Sequence, residues 1–241
     1  MGNLIESEAE QRSEDWYTLR IGRLSASQMK AFMSDKWREN IGTTRIVEAL
    51  ANQRMGMIDE IDIPETDAVK KGMSFEPIAL EMARKVTTLD FVNCSTFWRD
   101  DREDFLATPD AVVRTKGGGI EASLEMKTRS SAVSFASEVR NWKNQNKIQM
   151  ECQALVLKND SVWFFSTYVG DYPEDHEKQG KAVRIINQLV EDGEVPTMDG
   201  YPYLCVQYTC DKKLRKSIIT RIDEVNEAIS QFSGENSDLP F

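Results

Sequence analysis

Apolar positions change period along this chain, and the changes mark its elements. In TTRIVEALANQRM, residues 43–55, Ile46, Val47, Leu50 and Ala51 recur three and four apart, which predicts a helix with one buried face. DAVKKGMSFEPIALEMARKV, residues 67–86, repeats that signature with Ile78, Ala79, Met82 and Ala83; Pro77 fits a first helical turn, so regular bonding is expected just after it. RSEDWYTLRIGRLSASQMKAFM, residues 12–33, reads as a helical start, a turn at Gly22 and a second helix beginning near Ser25-Ala26-Ser27, where a serine can cap the exposed amides.

Beyond residue 90 the period shortens. FVNCSTFWRD, DFLATPDAVV and GIEASLEMKT are short, rich in β-branched and aromatic residues, and separated by charged or glycine turns, which predicts an antiparallel meander. The KGGG turn supplies the positive φ that a tight connection needs. Two helices follow, over VSFASEVRNWK and NKIQMECQALVLK, and then SVWFFSTYV, apolar enough to be a central strand. Residues 170–200 break the rhythm with an acidic loop, a helix over EKQGKAVRIINQLVEDG and a proline-bearing return, an expected insertion on the core. YLCVQYTC reads as another strand. DKKLRKSIITRIDEVNEAISQF reads as a closing amphipathic helix with Leu214, Ile218, Ile222, Val225 and Ile229 on one stripe. The tail is expected to be loose, or to dock through Leu239 and Phe241.

Composition narrows the chemistry. The 241 residues are 40% hydrophobic and 29% charged, with no apolar run long enough for a bilayer, so one domain with a substantial core and no membrane partner is expected. The N-terminus lacks the basic start and apolar core of a secretion signal, and Gly2 and Ser7 stand one place beyond the usual acylation spacing. Cys94, Cys152, Cys205 and Cys210 form neither a CxxC pair nor a zinc module, and reduced thiols are favoured over an iron-sulfur staple. His176 is the single histidine and lies in the polar stretch YPEDHEKQG, which argues against triads, Cys-His pairs and multi-histidine metal sites. Carboxylates, lysine and a hard, oxygen-bound metal ion remain. The net charge of −10 argues against nonspecific nucleic-acid binding over the whole surface but leaves room for a local basic channel.

TPDAVVRTKGGGIEASLEMKT, residues 108–128, carries the candidate chemistry. Residues two apart on a strand share a face, so Glu125 and Lys127 project together, with the Met126 carbonyl in the plane between them. A neighbouring strand led by Asp110 brings in a second carboxylate, and two carboxylates with a carbonyl make an oxygen cage suited to Mg²⁺, with Lys127 beside it to position or activate a water. The bland alternative for Glu-x-Lys alone is an ordinary ion pair on a solvated strand. Pro109-Asp110, at the end of an apolar strand and before a glycine hairpin, shifts the balance towards chemistry.

These residues resemble the PD-(D/E)xK nuclease superfamily, with Asp110 as the acid after proline and Glu125-Met126-Lys127 as the ExK element. WYTLRIGRLSAS resembles the W-x-x-L-R-x-G-x-[IL]-[ST]-A-S signature of the phage lambda exonuclease family, the YqaJ-like viral recombinases. GMSFEPIALEMAR resembles the same family's G-x-x-x-E-x-x-A element, with Gly72 and Glu76 in register, and SVWFFSTY its aromatic strand; together these span about residues 12–168 in order.

The resemblance implies an α/β (α+β) restriction-endonuclease-like core, a central mixed sheet flanked by helices, in one nuclease domain with core segments near 12–168 and 201–232. It implies Mg²⁺, with Mn²⁺ able to substitute, held by Asp110, Glu125 and the Met126 carbonyl. Lys127 would orient or deprotonate the attacking water. Glu76 would reach a second metal or its water shell; its bland alternative is a helix-start acid favoured by the macrodipole. Arg20 and Ser27 would bind a terminal 5′-phosphate, the alternatives being a surface arginine and a simple N-cap. A glutamine motif falls in IQMECQ as either Gln149-Met150-Glu151 or Glu151-Cys152-Gln153; spacing favours the second, leaving Glu151 as an extra metal ligand or a modifier of specificity. The implied function is 5′ to 3′ digestion of one strand of linear double-stranded DNA to leave 3′ overhangs. The implied partners are DNA ends and a single-strand annealing protein. A ring of three subunits in the cytoplasm of a phage-infected or prophage-bearing cell would line its channel with residues such as Arg129, Arg140, Lys143 and Lys147, the bland alternative being an exposed basic helix face. The rivals are an endonuclease on the same core and a catalytically silent DNA or recombination scaffold.

Overall fold

The computed structural model describes residues 2–57, 67–170 and 180–236. In chain order the first elements are β1 (Leu4–Glu6), α1 (Glu14–Arg20), β2 (Leu24–Ser25), α2 (Met29–Phe32), α3 (Ile41–Arg54) and α4 (Asp67–Thr87). Then come β3 (Val92–Asn93), β4 (Phe97–Arg99), β5 (Arg102–Ala107), β6 (Ala111–Arg114), β7 (Ile120–Arg129), α5 (Ala132–Leu157) and β8 (Val162–Tyr168). The chain closes with α6 (Lys181–Glu191), β9 (Thr197–Met198), β10 (Tyr201–Tyr208) and α7 (Lys212–Asn236). His176, Leu239 and Phe241 lie outside the described residues.

The central sheet has six strands in the order β3-β6-β7-β8-β10-β9 and is mixed: β7 and β8 run parallel while the other neighbours run antiparallel. Parallel neighbours need a long crossover, and α5 supplies it. Alternation along β7 assigns its faces. Ala122, Leu124 and Met126 pack with Ala79, Met82 and Ala83 of α4, while Ser123, Glu125 and Lys127 turn to the other face, where Gln153 of α5 meets Glu125. Leu24, Phe32, Val47, Leu50, Phe105, Ile218, Ile222, Val225 and Ile229 fill the largest core cluster, so α7 buries its apolar stripe against α3 and the first helices. This is the expected α/β architecture of a central mixed sheet flanked by helices.

Several local expectations change. The predicted meander is split between two sheets: β4 and β5 belong to a second sheet, β1-β4-β5-β2, and the chain crosses to β6 through Thr108-Pro109-Asp110. Periodicity cannot see this, because a strand's alternation records which face is buried and not which neighbour it has. Leu24-Ser25 pairs in parallel with Phe105-Leu106 instead of starting a helix, and α2 begins only at Met29, without a side-chain cap. Pro77 sits ten residues into α4, where it lacks an amide for the ladder, so Glu76 is a mid-helix acid and the macrodipole account of it fails. Ile78 is 44% exposed, although Ala79, Met82 and Ala83 are buried as expected. The two helices expected over 133–158 join as α5, and its kink falls at Asn141 (φ −131°, ψ 16°), inside the first of them and not between the two. All four cysteines are free, and burial pushes the thiols of Cys94 and Cys152 far up, so these two are inert core residues. No helix among the described residues is long and apolar enough to cross a membrane.

Candidate active site

The site forms at the start of β6, past which β7 continues alone. Ala111 pairs with Leu124, and the Asp110 amide donates to the Leu124 carbonyl at 3.0 Å. Beyond that point β7 has no strand on this edge, and the Asp110 carboxylate takes the next free amide, that of Met126. A strand residue directs its N–H and C=O to the same edge. The Met126 carbonyl therefore faces the Asp110 side, while the odd-numbered backbone groups of β7 serve β8, as the Ser123 amide to Ser161 and the Arg129 carbonyl to Val169 show.

Glu125 is 1% exposed, and a buried carboxylate must be matched by donors. Lys127 Nζ donates to its Oε1, and Gln153 Nε2 donates to its Oε2 at 2.5 Å. Gln153 Oε1 is buried without a donor of its own. Asp110 is less well compensated. Burial first, and then the facing Glu125 carboxylate, push its carboxyl up to about 7 against the pull of Lys127 and the Met126 amide. Burial works to lower the Lys127 ammonium, but Glu125 and Asp110 outweigh it and raise the pKa, so Lys127 is a cation here.

Among the described residues no group of three or more His, Cys, Asp or Glu side chains is gathered closely enough to hold a metal ion. The donor set at the strand edge nonetheless fits a hard divalent ion: two facing carboxylates, the pKa of one raised by burial and by the charge of the other, and a main-chain carbonyl on the same edge.

Glu76 lies on the α4 wall of the same cleft, a space of about 770 Å³ that Asp110 and Met126 also line. Its carboxylate accepts a bidentate pair from Arg12, Nη2 to Oε1 at 2.6 Å and Nη1 to Oε2 at 3.0 Å. The two side chains are 40% and 37% exposed, and such a pair contributes on the order of 1 kcal/mol or less. Arg12 also holds a left-handed backbone, φ 72°, which costs a non-glycine residue about 1 kcal/mol. The pair thus adds little to stability. No periodicity or motif announces Arg12, because its partner is 64 residues away.

Arg20 is tied to the loop before Asp110: its Nη1 donates to Thr108 Oγ1 at 3.1 Å, its guanidinium stacks 4.4 Å from the Trp16 ring, and burial lowers its pKa. Thr108 in turn bonds Thr96, which accepts from Trp16 Nε1. No sequence signal singles out Thr108, though it opens the stretch that carries the candidate chemistry. Ser27 is exposed just past the point where β2 meets β5, and its hydroxyl lies 3.1 Å from that of Ser25. Arg20 also lines a cavity of about 460 Å³ with Arg23 and Arg45, walled by Trp16 and Tyr17.

Two expectations fail here. Glu151 is fully buried away from Glu125: it accepts from Arg215 Nε at 2.6 Å, Tyr208 Oη at 2.9 Å and the Asp211 amide at 2.8 Å, so it anchors α7 and offers no free oxygen to a metal. Arg129 is bound twice to the buried Glu138, at 2.6 and 3.1 Å, which makes it a counter-charge within the fold.

Comparison with known proteins supports the architecture. The structure aligns with an alkaline exonuclease, LHK-Exo, of Laribacter hongkongensis at a TM-score of 0.66 and 18% identity, covering 95% of this chain and 100% of that one. The same enzyme in complex with dAMP aligns at a TM-score of 0.67. A phage-related exonuclease of Haemophilus somnus aligns at 0.60 and 13% identity, covering 88% and 96%. At these identities the likeness establishes a shared fold. No curated protein matches the chain. The model of the YqaJ-like viral recombinase domain matches residues 15–159, the span that holds α1, Glu76, the β6–β7 edge and Gln153, and the chain belongs to that family.

Proposed function

We propose that the protein is a Mg²⁺-dependent deoxyribonuclease that digests one strand of linear duplex DNA from its 5′ end and leaves 3′ overhangs for recombination. The observation that carries this reading is the convergence of Asp110, Glu125 and Lys127 at the one stretch of β7 edge left open by β6. Asp110, Glu125 and the Met126 carbonyl would hold the ion, with Glu76 on the opposite wall for a second ion or its water shell. When bound, a divalent ion supplies Lewis acidity to the phosphoryl group and to the attacking water, and Mn²⁺ can replace Mg²⁺ in that role.

The chain's own residues do the rest. Gln153 fixes one oxygen of Glu125 and so sets the direction of the other. Lys127 enters as an ammonium that can donate to a phosphoryl oxygen or orient the water; it becomes a base only once the charges of Glu125 and Asp110 are neutralised, since those charges hold its proton. Arg20, which donates to Thr108 two residues from Asp110, and Ser27, just past the pairing of β2 with β5, would bind a terminal 5′-phosphate and so set the position of the cut. The neighbouring Arg23 and Arg45 support anion binding on this side of the molecule, in a chain whose net charge is −10. A ring of three copies with an annealing partner would place such patches around DNA and keep the acidic exterior in solvent.

The test uses linear duplexes labelled at either end, with and without a 5′-phosphate, incubated with Mg²⁺ or EDTA. Release from the 5′ end that needs both phosphate and metal is expected. Cuts within closed circles would show an endonuclease instead, and no metal-dependent cleavage at all would show a scaffold.

A further inference from the structure

The cleft that Asp110, Met126 and Glu76 share is acidic. Glu6, Glu8, Glu10, Glu76 and Asp110 line it, and among the described residues its cations are Arg12 and Arg84. Arg84 is engaged on its own side, donating to the Phe91 carbonyl at 2.6 Å and lying 3.6 Å from Glu81. The guanidinium that reaches across the cleft is that of Arg12. Its position is fixed from behind. Gln11 donates to the carbonyls of Cys94 and Pro109, at 2.7 and 3.1 Å, and pins the segment against the loop that leads into Asp110. Ser13 then caps α1, and between these anchors the left-handed turn at Arg12 aims its side chain across the cleft to Glu76. The Asp110 charge also acts on this guanidinium.

Glycine would occupy that backbone position without strain, and a half-exposed ion pair is a weak reason to keep an arginine there. A planar fork that binds carboxylate in a bidentate pair binds phosphate in the same way. We propose that Arg12 is a phosphate-binding residue for the DNA strand in this cleft, and that Glu76 holds it in reserve: any ligand that claims the Glu76 carboxylate releases the guanidinium to the backbone of the strand. Taking DNA as the ligand rests on the nuclease reading. The exchange itself is a property of the apo cleft and needs no turnover.

The experiment is a double-mutant cycle on equilibrium binding of a 5′-phosphorylated duplex in EDTA, by fluorescence anisotropy across a salt series, with wild type, Arg12→Gly, Glu76→Gln and the double variant. Glycine suits the φ of 72°, so Arg12→Gly retains the fold, which a thermal melt checks. Glu76→Gln frees Arg12 and is expected to tighten binding about tenfold, with the log K against log salt slope steeper by about one phosphate contact. Removing Arg12 alone is expected to change little, because its guanidinium is already engaged. The gain from Glu76→Gln should vanish in the double variant. An equal gain with and without Arg12 would mean that Glu76 acts only by its own charge, and no gain would mean that Arg12 stays off the DNA; either overturns the proposal. A protein that binds duplex in this cycle but fails the digestion assay would sink the nuclease reading and leave the exchange standing, whereas failure to bind duplex in all four forms would sink both.

Discussion

Two carboxylates, Glu151 buried on α5 and Asp110 half-buried at the start of β6, are treated in opposite ways. Glu151 receives three donors and a full counter-charge: Arg215, Tyr208 and the Asp211 amide close around it, and Arg215 also reaches Asp160 at 2.6 Å. Asp110 receives one amide and faces another acid, and its carboxyl is pushed up to about 7. A fully matched buried charge is a structural joint, here between α5 and the start of α7, and it has nothing left to give a ligand. An under-matched one sits at a higher energy until something positive arrives. Glu138, enclosed by Arg129, Ser166 and Asn146, is of the first kind. Glu125 lies between the two, satisfied by Lys127 and Gln153 but set against Asp110.

The comparison breaks most readily at Asp110. Asp110→Asn keeps the size of the side chain and removes the charge that two-carboxylate chemistry requires. Cleavage of a phosphorylated linear duplex in Mg²⁺ is expected to fall at least a thousandfold, about 4 kcal/mol of transition-state stabilisation. Circular dichroism and melting should show an intact fold. Retention of more than a tenth of the wild-type rate would remove Asp110 from the site.

Glu151→Gln probes the opposite case. It leaves the Arg215 guanidinium, 22% exposed, against Asp160 alone, and breaking a buried pair in this way is expected to cost about 3 kcal/mol, towards the low end for buried pairs because Arg215 is partly wet. Urea denaturation reads the loss as a lower midpoint with an unchanged slope. The folded fraction should cleave DNA within about twofold of wild type. If activity disappears without a loss of stability, Glu151 serves the site after all.

How far the sequence reveals this division depends on the range of each signal. Glu125 and Lys127 are visible as a pair because strand alternation is local, and Asp110 because a proline and a glycine hairpin bracket it. Gln153 belongs to the favoured placement of the glutamine motif, Glu151-Cys152-Gln153, and the structure places it on Glu125. What separates Gln153 from Glu151 is not legible: two residues apart on a helix they point about 200° apart, and only the position of α7 decides which faces a strand and which meets an arginine. Arg12 and Thr108 stay hidden for the same reason, since their partners Glu76 and Arg20 lie 64 and 88 residues away. The split of the meander between two sheets is equally invisible. It also creates the site, because the crossing at Thr108-Pro109-Asp110 is what leaves the edge of β7 open.

The smallest expected effect tests the energetic side of the comparison directly, in protein kept free of metal by EDTA. The folded-state pKa of Asp110, about 7, lies above its unfolded value near 3.8, so between these pH values the folded chain holds a proton that the unfolded chain has released. Stability from this group is full below about pH 4 and is lost as pH rises through 7. Wild-type melting temperature should therefore fall between about pH 5 and pH 8 relative to Asp110→Asn, which cannot titrate at this position. Asp110 opens onto the cleft, where water screens its charge, so the difference should be modest, about 2 to 4 °C for a chain of this size. Adding Mg²⁺ at the upper end of that range should raise the wild type and leave the variant nearly unmoved. Parallel melting curves for the two proteins across that range would mean that Asp110 is as well compensated as Glu151, and that the asymmetry between the two acids is not what opens the site to a cation.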